Sequence, residues 1–361
     1  MIDLRSDTLT RPTEAMLWAM SQASAGDDNF GEDRSTAMLE DHCAELFGLE
    51  AAVFVPTGTM SNQIALRVHT RPGDEVIVDE SYHLNVYESA PSADLAGVSL
   101  NTVASPDGIL DPHLVDQALE ARCRDPRYSQ ARLVSIENTI NYRAGQVFPL
   151  DRLADLRRGT ESRQLRLHMD GARLFNAVVA TGTKPARYAE QIDTLSVCFA
   201  KGLGAPFGSV LAGPTDLMAE ARYYRKSYGG AMHQCGSLAE AARYALQHNI
   251  DRLAEDHATA GELARRLAEN PLIHLDPEVV ETNIVVVDVS AAGQSATAIA
   301  NLCRAAGLLV LPLTSRHLRM VTRMGIDRAQ VVAAADILHR VIKDVSGRDS
   351  ASVRTRCAAT S

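Results

Sequence analysis

Ser196-Val-Cys-Phe-Ala-Lys-Gly-Leu-Gly-Ala-Pro206 is the stretch of sequence that says most about the fold. Its apolar start predicts a short buried strand ending at Lys201, and the glycines that follow predict a turn. A second apolar run, Leu165–Arg173, predicts another strand, which ends in the acid Asp170. We therefore expect an amine and a carboxylate at the ends of two buried strands.

These two residue types together indicate one kind of cofactor chemistry. Apolar surroundings disfavour the charged form of an amine, and an uncharged amine can attack an aldehyde. A lysine that holds pyridoxal 5'-phosphate as a Schiff base must do this, while an aspartate keeps the pyridine nitrogen of that cofactor protonated. Lys201 and Asp170 therefore predict a pyridoxal phosphate enzyme.

Predicted strands and helices alternate through the first two thirds of the chain. The strands are expected at 50–55, 75–79, 98–103, 131–137, 165–170, 196–201 and 208–213. The helices between them are expected at 12–25, 35–48, 61–69, 112–124 and 150–160. This alternation predicts an α/β fold with a doubly wound, mostly parallel sheet, which binds ligands at the carboxyl ends of its strands.

The last third of the chain predicts a smaller α+β domain. A long Ala-rich helix is expected at 236–270, followed by strands at 283–288, 308–311 and 318–322 and helices at 294–306 and 327–345. The predicted organisation is an N-terminal arm and helix (1–30), a large cofactor-binding domain (31–270), a small C-terminal domain (271–345) and a disordered tail (346–361).

Composition excludes several classes of function. The chain has 361 residues, of which 46% are hydrophobic and 22% charged, and its formal net charge is −9. These values are typical of a soluble enzyme, and without a basic stripe neither nucleic acid nor an anionic membrane is expected as a partner. The six cysteines are scattered, and the first residues lack an apolar signal core, so a cytoplasmic protein with free thiols is expected. No motif indicates a metal site or a dinucleotide site.

Several segments resemble the threonine aldolase family, a group of fold-type I pyridoxal phosphate enzymes. They are Asp3–Thr8, Gly31–Asp33, Pro56–Gln63, Arg71–Glu75, Asp170–Ala177 and Lys201–Pro206. The resemblance implies an aldolase of the low-specificity L-threonine type, which cleaves a β-hydroxy-α-amino acid to glycine and an aldehyde.

The resemblance also implies roles for the residues around the cofactor. Gly58 and Thr59 lie in a turn before a predicted helix, where backbone N–H groups bind phosphate, and the family holds the cofactor phosphate there. His83 matches a histidine that stacks on the pyridine ring and is a candidate base near the β-carbon. Lys226 matches a residue that reaches the phosphate of a neighbouring subunit, which implies a homo-oligomer, either a dimer or a homotetramer.

Five residues are expected to bind the amino acid substrate, three of them through its carboxylate. An arginine forks two hydrogen bonds onto a carboxylate, and the resemblance assigns that role to Arg173 and Arg319, together with Ser6. Phe30 and Ile140 are expected at the substrate end of the site, where the family usually carries a tyrosine and a histidine.

These departures leave other functions open. Ile140 can neither donate nor accept a proton. Four more residues differ from those that the family usually carries at the same places: Ala200, His233, Arg323 and Gly325. The alternatives are an amino-acid racemase of the alanine type, an aldol-forming or transaldolase relative in secondary metabolism, and a protein that binds ligand without catalysis.

Overall fold

The computed structural model describes the backbone of residues 1–24, 26–123 and 125–358, and the side chains as far as Ser346. The strands in this part of the chain are β1 (Ile2–Asp3), β2 (Ala51–Val55), β3 (Glu75–Asp79), β4 (Ser99–Val103), β5 (Ala131–Glu137), β6 (Arg166–Gly171), β7 (Thr194–Cys198), β8 (Ser209–Gly213), β9 (Ile284–Asp288), β10 (Leu308–Leu309), β11 (Leu311–Pro312) and β12 (His317–Val321). The α-helices are α1 (Glu14–Ser21), α2 (Arg34–Phe47), α3 (Gly58–His69), α4 (His83–Pro91), α5 (Pro112–Glu120), α6 (Leu150–Ser162), α7 (Leu174–Thr181), α8 (Pro185–Ala189), α9 (Thr215–Ser227), α10 (Gly236–His248), α11 (Leu253–Ala268), α12 (Ala296–Ala305) and α13 (Arg328–Ala358).

The predicted doubly wound sheet forms the centre of the larger of two compact units, Thr10–Arg252. Among the described residues, seven strands pair in the order β2-β8-β7-β6-β5-β3-β4. Strands β7, β6, β5, β3 and β4 are parallel to one another, and β8 runs antiparallel to both β7 and β2. The predicted α/β fold class is therefore confirmed, and the carboxyl ends of β3, β5 and β6 lie at one edge of the sheet.

The sequence of each strand explains its place in the sheet. Strands β3 and β8 are buried at every position, and β5 is buried from Leu133 onwards. Central strands of a parallel sheet are covered by helices on both faces, so their sequences are nearly continuous apolar runs rather than alternating patterns.

Four helices of this unit, α1, α2, α3 and α5, begin where a polar side chain caps them. Thr13, Asp33, Thr57 and Asp111 each accept a hydrogen bond from a backbone N–H of the first turn that follows. The predicted helix at 112–124 ends at Glu120. Arg124, its last predicted residue, lies outside the described part of the chain.

The smaller unit combines Met1–Leu9 with Leu253–Ser361, whereas the sequence predicted a boundary near residue 271. The predicted long helix at 236–270 is in fact two helices, because α10 ends at His248 and α11 begins at Leu253. Apolar residues of α11, such as Leu263 and Leu267, belong to the core that β9 and β12 also line. The N-terminal strand β1 joins this unit because it pairs with β10.

Within the smaller unit, β11, β12 and β9 form an antiparallel sheet. Helix α13 extends to Ala358, so the backbone is helical through most of the segment that the sequence predicted to be disordered; residues 359–361 lie outside the described part. In the part of the chain that the structure describes, no helix is long and apolar enough to cross a membrane. The five cysteines whose side chains are described there are unpaired, as predicted.

Candidate active site

Two acids meet where the parallel strands β5 and β6 end. Glu137 is the last residue of β5 and is paired in register with Asp170 near the end of β6. Both side chains are buried. Ligands of doubly wound sheets bind at this edge, so these carboxylates mark the candidate active site.

Asp170 is held as a charged acceptor. Its Oδ2 accepts a hydrogen bond of 2.8 Å from Nδ2 of Asn62, and its Oδ1 accepts one of 3.0 Å from the backbone N–H of Ala172. Burial by itself would raise the pKa of Asp170, but the nearby charges of His83 and Lys201 outweigh it and leave the pKa below its ordinary value. A buried aspartate that stays ionised suits a protonated ring nitrogen.

Lys201 lies close enough to act on Asp170 electrostatically, although it is not at the end of its strand as predicted. Strand β7 ends at Cys198, and the chain then turns so that the carbonyl of Lys201 accepts the N–H of Gly204 at 2.9 Å. Asn249, just after α10, donates to the carbonyl of Leu203 at 2.7 Å and fixes the turn. Among the described residues, no hydrogen bond or ion pair engages the amine of Lys201.

His83 begins α4 and is bound on both sides by carboxylates. Its Nδ1 lies 2.8 Å from Oε1 of Glu88, and its backbone N–H donates to Oε2 of Glu137 at 2.6 Å. Burial lowers the pKa of His83, but the hydrogen bond to Glu88 and the charge of Asp170 raise it further, so the net pKa lies above its ordinary value. The imidazole side chain remains about one third exposed, so it can meet a ligand.

Glu137 caps the start of α4 from a neighbouring strand. Besides the N–H of His83, it accepts the N–H of Asn141 at 2.9 Å through Oε1. Burial, and then the charge of Asp170, raise the pKa of Glu137 to about 7. This carboxyl group thus fixes two loops at the carboxyl edge of the sheet.

Helix α3 supplies a cradle of the kind that binds phosphate. The hydroxyl of Thr57 accepts the N–H of Met60 at 3.1 Å, and within the described part of the chain this leaves the amides of Gly58 and Thr59 at the start of a twelve-residue helix. A Cβ added to Gly58 would meet only Oγ of Ser209, at 3.6 Å. That Oγ is buried and has no hydrogen-bond partner among the described residues.

Pyridoxal phosphate fits these residues. The open cradle at Gly58 and the unpartnered hydroxyl of Ser209 suit its phosphate, the ionised Asp170 suits its ring nitrogen, and the amine of Lys201 suits its aldehyde.

The predicted substrate residues of the larger unit are placed differently from one another. Arg173 is buried at the start of α7, and its Nη1 donates to Oδ1 of Asn141 at 3.3 Å. Ile140 is completely buried, and its backbone N–H donates to the carbonyl of Gln146 at 2.8 Å. Phe30, in contrast, is 79% exposed. The roles of these side chains towards a substrate stay predictions.

The remaining predicted site residues are Lys226, which is exposed on α9, and Ser6 and Arg319, which belong to the smaller unit. Lys226 is exposed on α9 and lines a cavity of about 400 Å³ together with Asp28 and Arg225. Ser6 and Arg319 belong to the smaller unit, where Arg319 is buried on β12 and donates to the carbonyl of Arg5 at 3.3 Å.

Sequence reasoning missed three polar residues of the site. Asn62, Glu88 and Glu137 are all buried and hydrogen-bonded around Asp170 and His83. Glu137 could have been found, because it ends a predicted buried strand just as Asp170 does. Glu88 carries no such signal, since it lies five residues after His83 and so outside the i,i+3 and i,i+4 spacings that place side chains side by side on a helix.

One ligand atom from each of His83, Glu88 and Asp170 lies within 4.8 Å of the others, an arrangement that could hold a cation. Protein donors already account for this geometry, because Glu88 accepts hydrogen bonds from His83, Asn62 and Gln63. This cluster does not require a metal ion, and the sequence-based expectation of no metal site stays a prediction.

Comparison with known proteins identifies the family. A sequence model described as "Beta-eliminating lyase" matches residues 3–292. The low specificity L-threonine aldolase of Escherichia coli (strain K12) is 40% identical over 336 residues, covering 93% of this chain and 97% of that protein. The probable low-specificity L-threonine aldolase 2 of Arabidopsis thaliana is 37% identical, covering 91% of this chain and 94% of that protein.

The fold comparison agrees. The structure of Leishmania major threonine aldolase superposes with a TM-score of 0.80 at 22% identity, covering 95% of this chain and all of that chain. The predictions of the family, the fold-type I architecture and a pyridoxal phosphate-dependent lyase are confirmed. This chain belongs to the beta-eliminating lyase family, in the group of the low-specificity L-threonine aldolases.

Proposed function

We propose that this protein cleaves a β-hydroxy-α-amino acid of the L-threonine or L-allo-threonine type to glycine and an aldehyde. The observation that carries the proposal is the convergence of His83, Lys201 and Asp170 at the carboxyl edge of the parallel sheet, where the imidazole and the amine both lower the pKa of the acid. The 40% identity to an L-threonine aldolase over almost the whole chain supports this reaction.

Each residue has a separate task in the proposed reaction. When bound, pyridoxal phosphate supplies an electron sink for the pair released as the Cα–Cβ bond breaks. Lys201 would hold the cofactor through its amine, and Asp170 would keep the ring nitrogen protonated. Arg173 binds the substrate carboxylate, with Arg319 and Ser6 expected to assist.

His83 is the proposed base. Its Nδ1 faces Glu88, so Nε2 can accept the proton of the β-hydroxyl, directly or through a water molecule. As the Cα–Cβ bond breaks, the deprotonated β-hydroxyl becomes the carbonyl of the aldehyde. The proton taken up by His83 balances the one that the α-carbon gains to give glycine.

The other functions considered from the sequence receive no support. The case for a racemase or a transaldolase relative depended on Ile140, which cannot hydrogen-bond to a β-hydroxyl, and the relatives compared above are threonine aldolases. An intact cluster of Lys201, His83 and Asp170 also argues against a protein that binds ligand without catalysis.

The assembly and location of the protein are part of the same proposal. We expect a homo-oligomer, a dimer or tetramer in which Lys226 reaches the neighbouring site, acting in the cytoplasm. The exposure of Lys226 on α9 supports this, since the residue can reach another chain. Light scattering of the wild type tests the assembly, and a monomer with full activity would refute it.

Product analysis tests the reaction. The cofactor-loaded protein is incubated with L-threonine, L-allo-threonine, L-phenylserine or L-alanine in deuterated water and followed by NMR. We expect glycine and an aldehyde from the β-hydroxy substrates. Inversion of alanine without cleavage of any substrate would overturn the proposal.

A further inference from the structure

We infer that Glu88 is a positioning residue that fixes the proton of His83 on Nδ1 and so leaves Nε2 as the atom that accepts a proton from the substrate. This inference rests on the proposed function, because it assigns to Glu88 the orientation of the proposed base. It goes beyond the family resemblance, which points to His83 but not to Glu88.

The first observation is the geometry of the pair. Oε1 of Glu88 lies 2.8 Å from Nδ1 of His83, five residues away, and both residues belong to α4. An ionised carboxylate only accepts hydrogen bonds, so Nδ1 must carry the proton. In a neutral imidazole the other nitrogen, Nε2, is then the acceptor, and it belongs to a ring that is about one third exposed.

The second observation is that Glu88 is itself held rigidly. Its side chain is buried, and both carboxylate oxygens are engaged by α3. Asn62 donates to Oε1 at 3.1 Å, and Gln63 donates to Oε2 at 3.0 Å. A side chain bound at both oxygens cannot rotate away from His83, which is what a positioning residue requires.

The third observation is that the pair of hydrogen bonds from Asn62 and Gln63, here called the clamp, also connects Glu88 to Asp170. Nδ2 of Asn62 donates both to Glu88 and to Oδ2 of Asp170. Two carboxylate oxygens face this nitrogen, and carboxylates only accept, so the orientation of the Asn62 amide is determined; its Oδ1 then faces Nε2 of His168 at 3.3 Å. The same helix begins at the Gly58 cradle, so α3 aligns the phosphate site, Asp170 and His83 together.

Glu88 also stabilises the form of His83 that follows proton transfer. When Nε2 takes a proton the imidazole becomes positive, and the carboxylate at Nδ1 offsets that charge in a buried setting. Neutral replacement of Glu88 should therefore weaken the base even where the hydrogen bond survives. We expect kcat for β-hydroxy substrates to fall by about 10²-fold, which is the usual contribution of a positioned acid or base.

Glu88→Gln is the sharpest variant, because the surroundings can accept an amide. Oε1 of Gln63 has no hydrogen-bond partner among the described residues. A flip of the Gln63 amide therefore provides an acceptor for the NH₂ group that the substitution introduces, and it exchanges only the 3.2 Å hydrogen bond from Nε2 to Oγ of Ser92. The amide oxygen of the substituted side chain can still accept from His83. Glu88→Leu removes both the charge and the hydrogen bond, and Glu120→Gln, at an exposed glutamate of α5, is the matched control.

Two readouts are taken on the full-length, cofactor-loaded protein. The first is NMR with ¹⁵N-labelled histidine, in which the His83 signals are identified by their loss in His83→Asn. We expect the Nδ1–H tautomer in the wild type and in Glu88→Gln, and a mixture of tautomers in Glu88→Leu. The second is steady-state cleavage of L-threonine, where kcat should fall about 10²-fold in Glu88→Gln while KM changes by less than about threefold.

The outcomes separate this inference from the proposed function. Cleavage of threonine by the wild type establishes the function whatever Glu88 does. If Glu88→Leu keeps a pure Nδ1–H tautomer, or if Glu88→Gln retains the kcat of Glu120→Gln, the positioning role is refuted. If no variant cleaves threonine, the tautomer measurement still decides the role of Glu88, because it needs no substrate.

Discussion

The amide nitrogen of Asn62 lies 2.8 Å from Oδ2 of Asp170, and this contact joins helix α3, which begins at Gly58, to the acid at the end of β6. Because Asn62 is on the second turn of that helix, the distance between phosphate cradle and acid is fixed by regular helix geometry rather than by a loop. A site built on rigid elements holds its ligand groups more precisely than one built on mobile segments.

Replacing Asp170 should disable the site without unfolding it. Asp170→Asn keeps the shape of the side chain but removes the charge that holds the ring nitrogen protonated. We expect kcat/KM to fall by at least about 10²-fold, the scale of losing one charge-stabilising group. Steady-state kinetics measure this, with Asp155→Asn on the exposed face of α6 as the control. Activity close to that of the control would contradict the role.

Lys201 should be the site of covalent attachment. Borohydride reduction of the loaded wild type, followed by peptide mass spectrometry, is expected to find the cofactor mass on the peptide that contains Lys201. Lys201→Ala should lose this label and at least about 10³-fold of the activity, whereas Lys343→Ala, at an exposed lysine, should keep both. A label that persists in Lys201→Ala would show that another amine is used.

The pH dependence of cleavage should report His83. Its pKa is raised above the ordinary value of 6.5, with Glu88, Glu137 and Asp170 as the acids that face it. A base must be unprotonated to accept a proton, so kcat/KM should be low below that pKa and rise with pH through a midpoint above 6.5. In His83→Asn this rise of kcat/KM with pH should disappear. A rise that survives in the variant would assign the titration to another group.

Gly58 should matter for the cofactor and not for folding. A methyl group at this position would meet only Ser209 Oγ at 3.6 Å, an ordinary contact, but would project into the cradle. We expect Gly58→Ala to weaken cofactor affinity by about tenfold or more, a loss on the order of 1.4 kcal/mol. The melting temperature without cofactor should not fall, since alanine is the better helix former. Fluorescence titration and thermal melts measure the two effects, with Gly261→Ala within α11 as the control, and unchanged cofactor affinity would contradict the cradle.

Gly208 should be required by packing. Its φ is +96°, and an added Cβ would lie 2.4 Å from a ring carbon of Phe54. Gly208→Ala is expected to destabilise the protein by about 2–4 kcal/mol, because backbone strain and overpacking act together. Gly182 has a φ of +69°, but an added Cβ would meet open space. Gly182→Ala should therefore lower the free energy of unfolding by only about 1 kcal/mol. Denaturant unfolding compares them, and equal losses would contradict the packing argument.

Local sequence determined most of the elements of this protein. Strands β3 and β5 were predicted with the bounds that the structure shows, because buried strands of a parallel sheet carry a central apolar run, such as Val76–Val78 in β3. The Gly58-Thr59 pair, predicted as a turn before a helix, forms the first turn of α3. Asp170 and Lys201 were singled out by residue type and position, and their roles stay predictions. In each case a single residue or a short run carries the physical requirement.

Tertiary structure decided what depends on contacts between distant segments. The predicted helix at 236–270 divides after His248 because the two halves pack in different units, and helical periodicity is the same on either side of the break. The strand β1 pairs with β10 across some 300 residues of sequence, a contact that no local pattern encodes. The clamp of Asn62 and Gln63 on Glu88 has the same origin. Nothing in the local sequence distinguishes these side chains, and they pair because buried polar groups must be hydrogen-bonded.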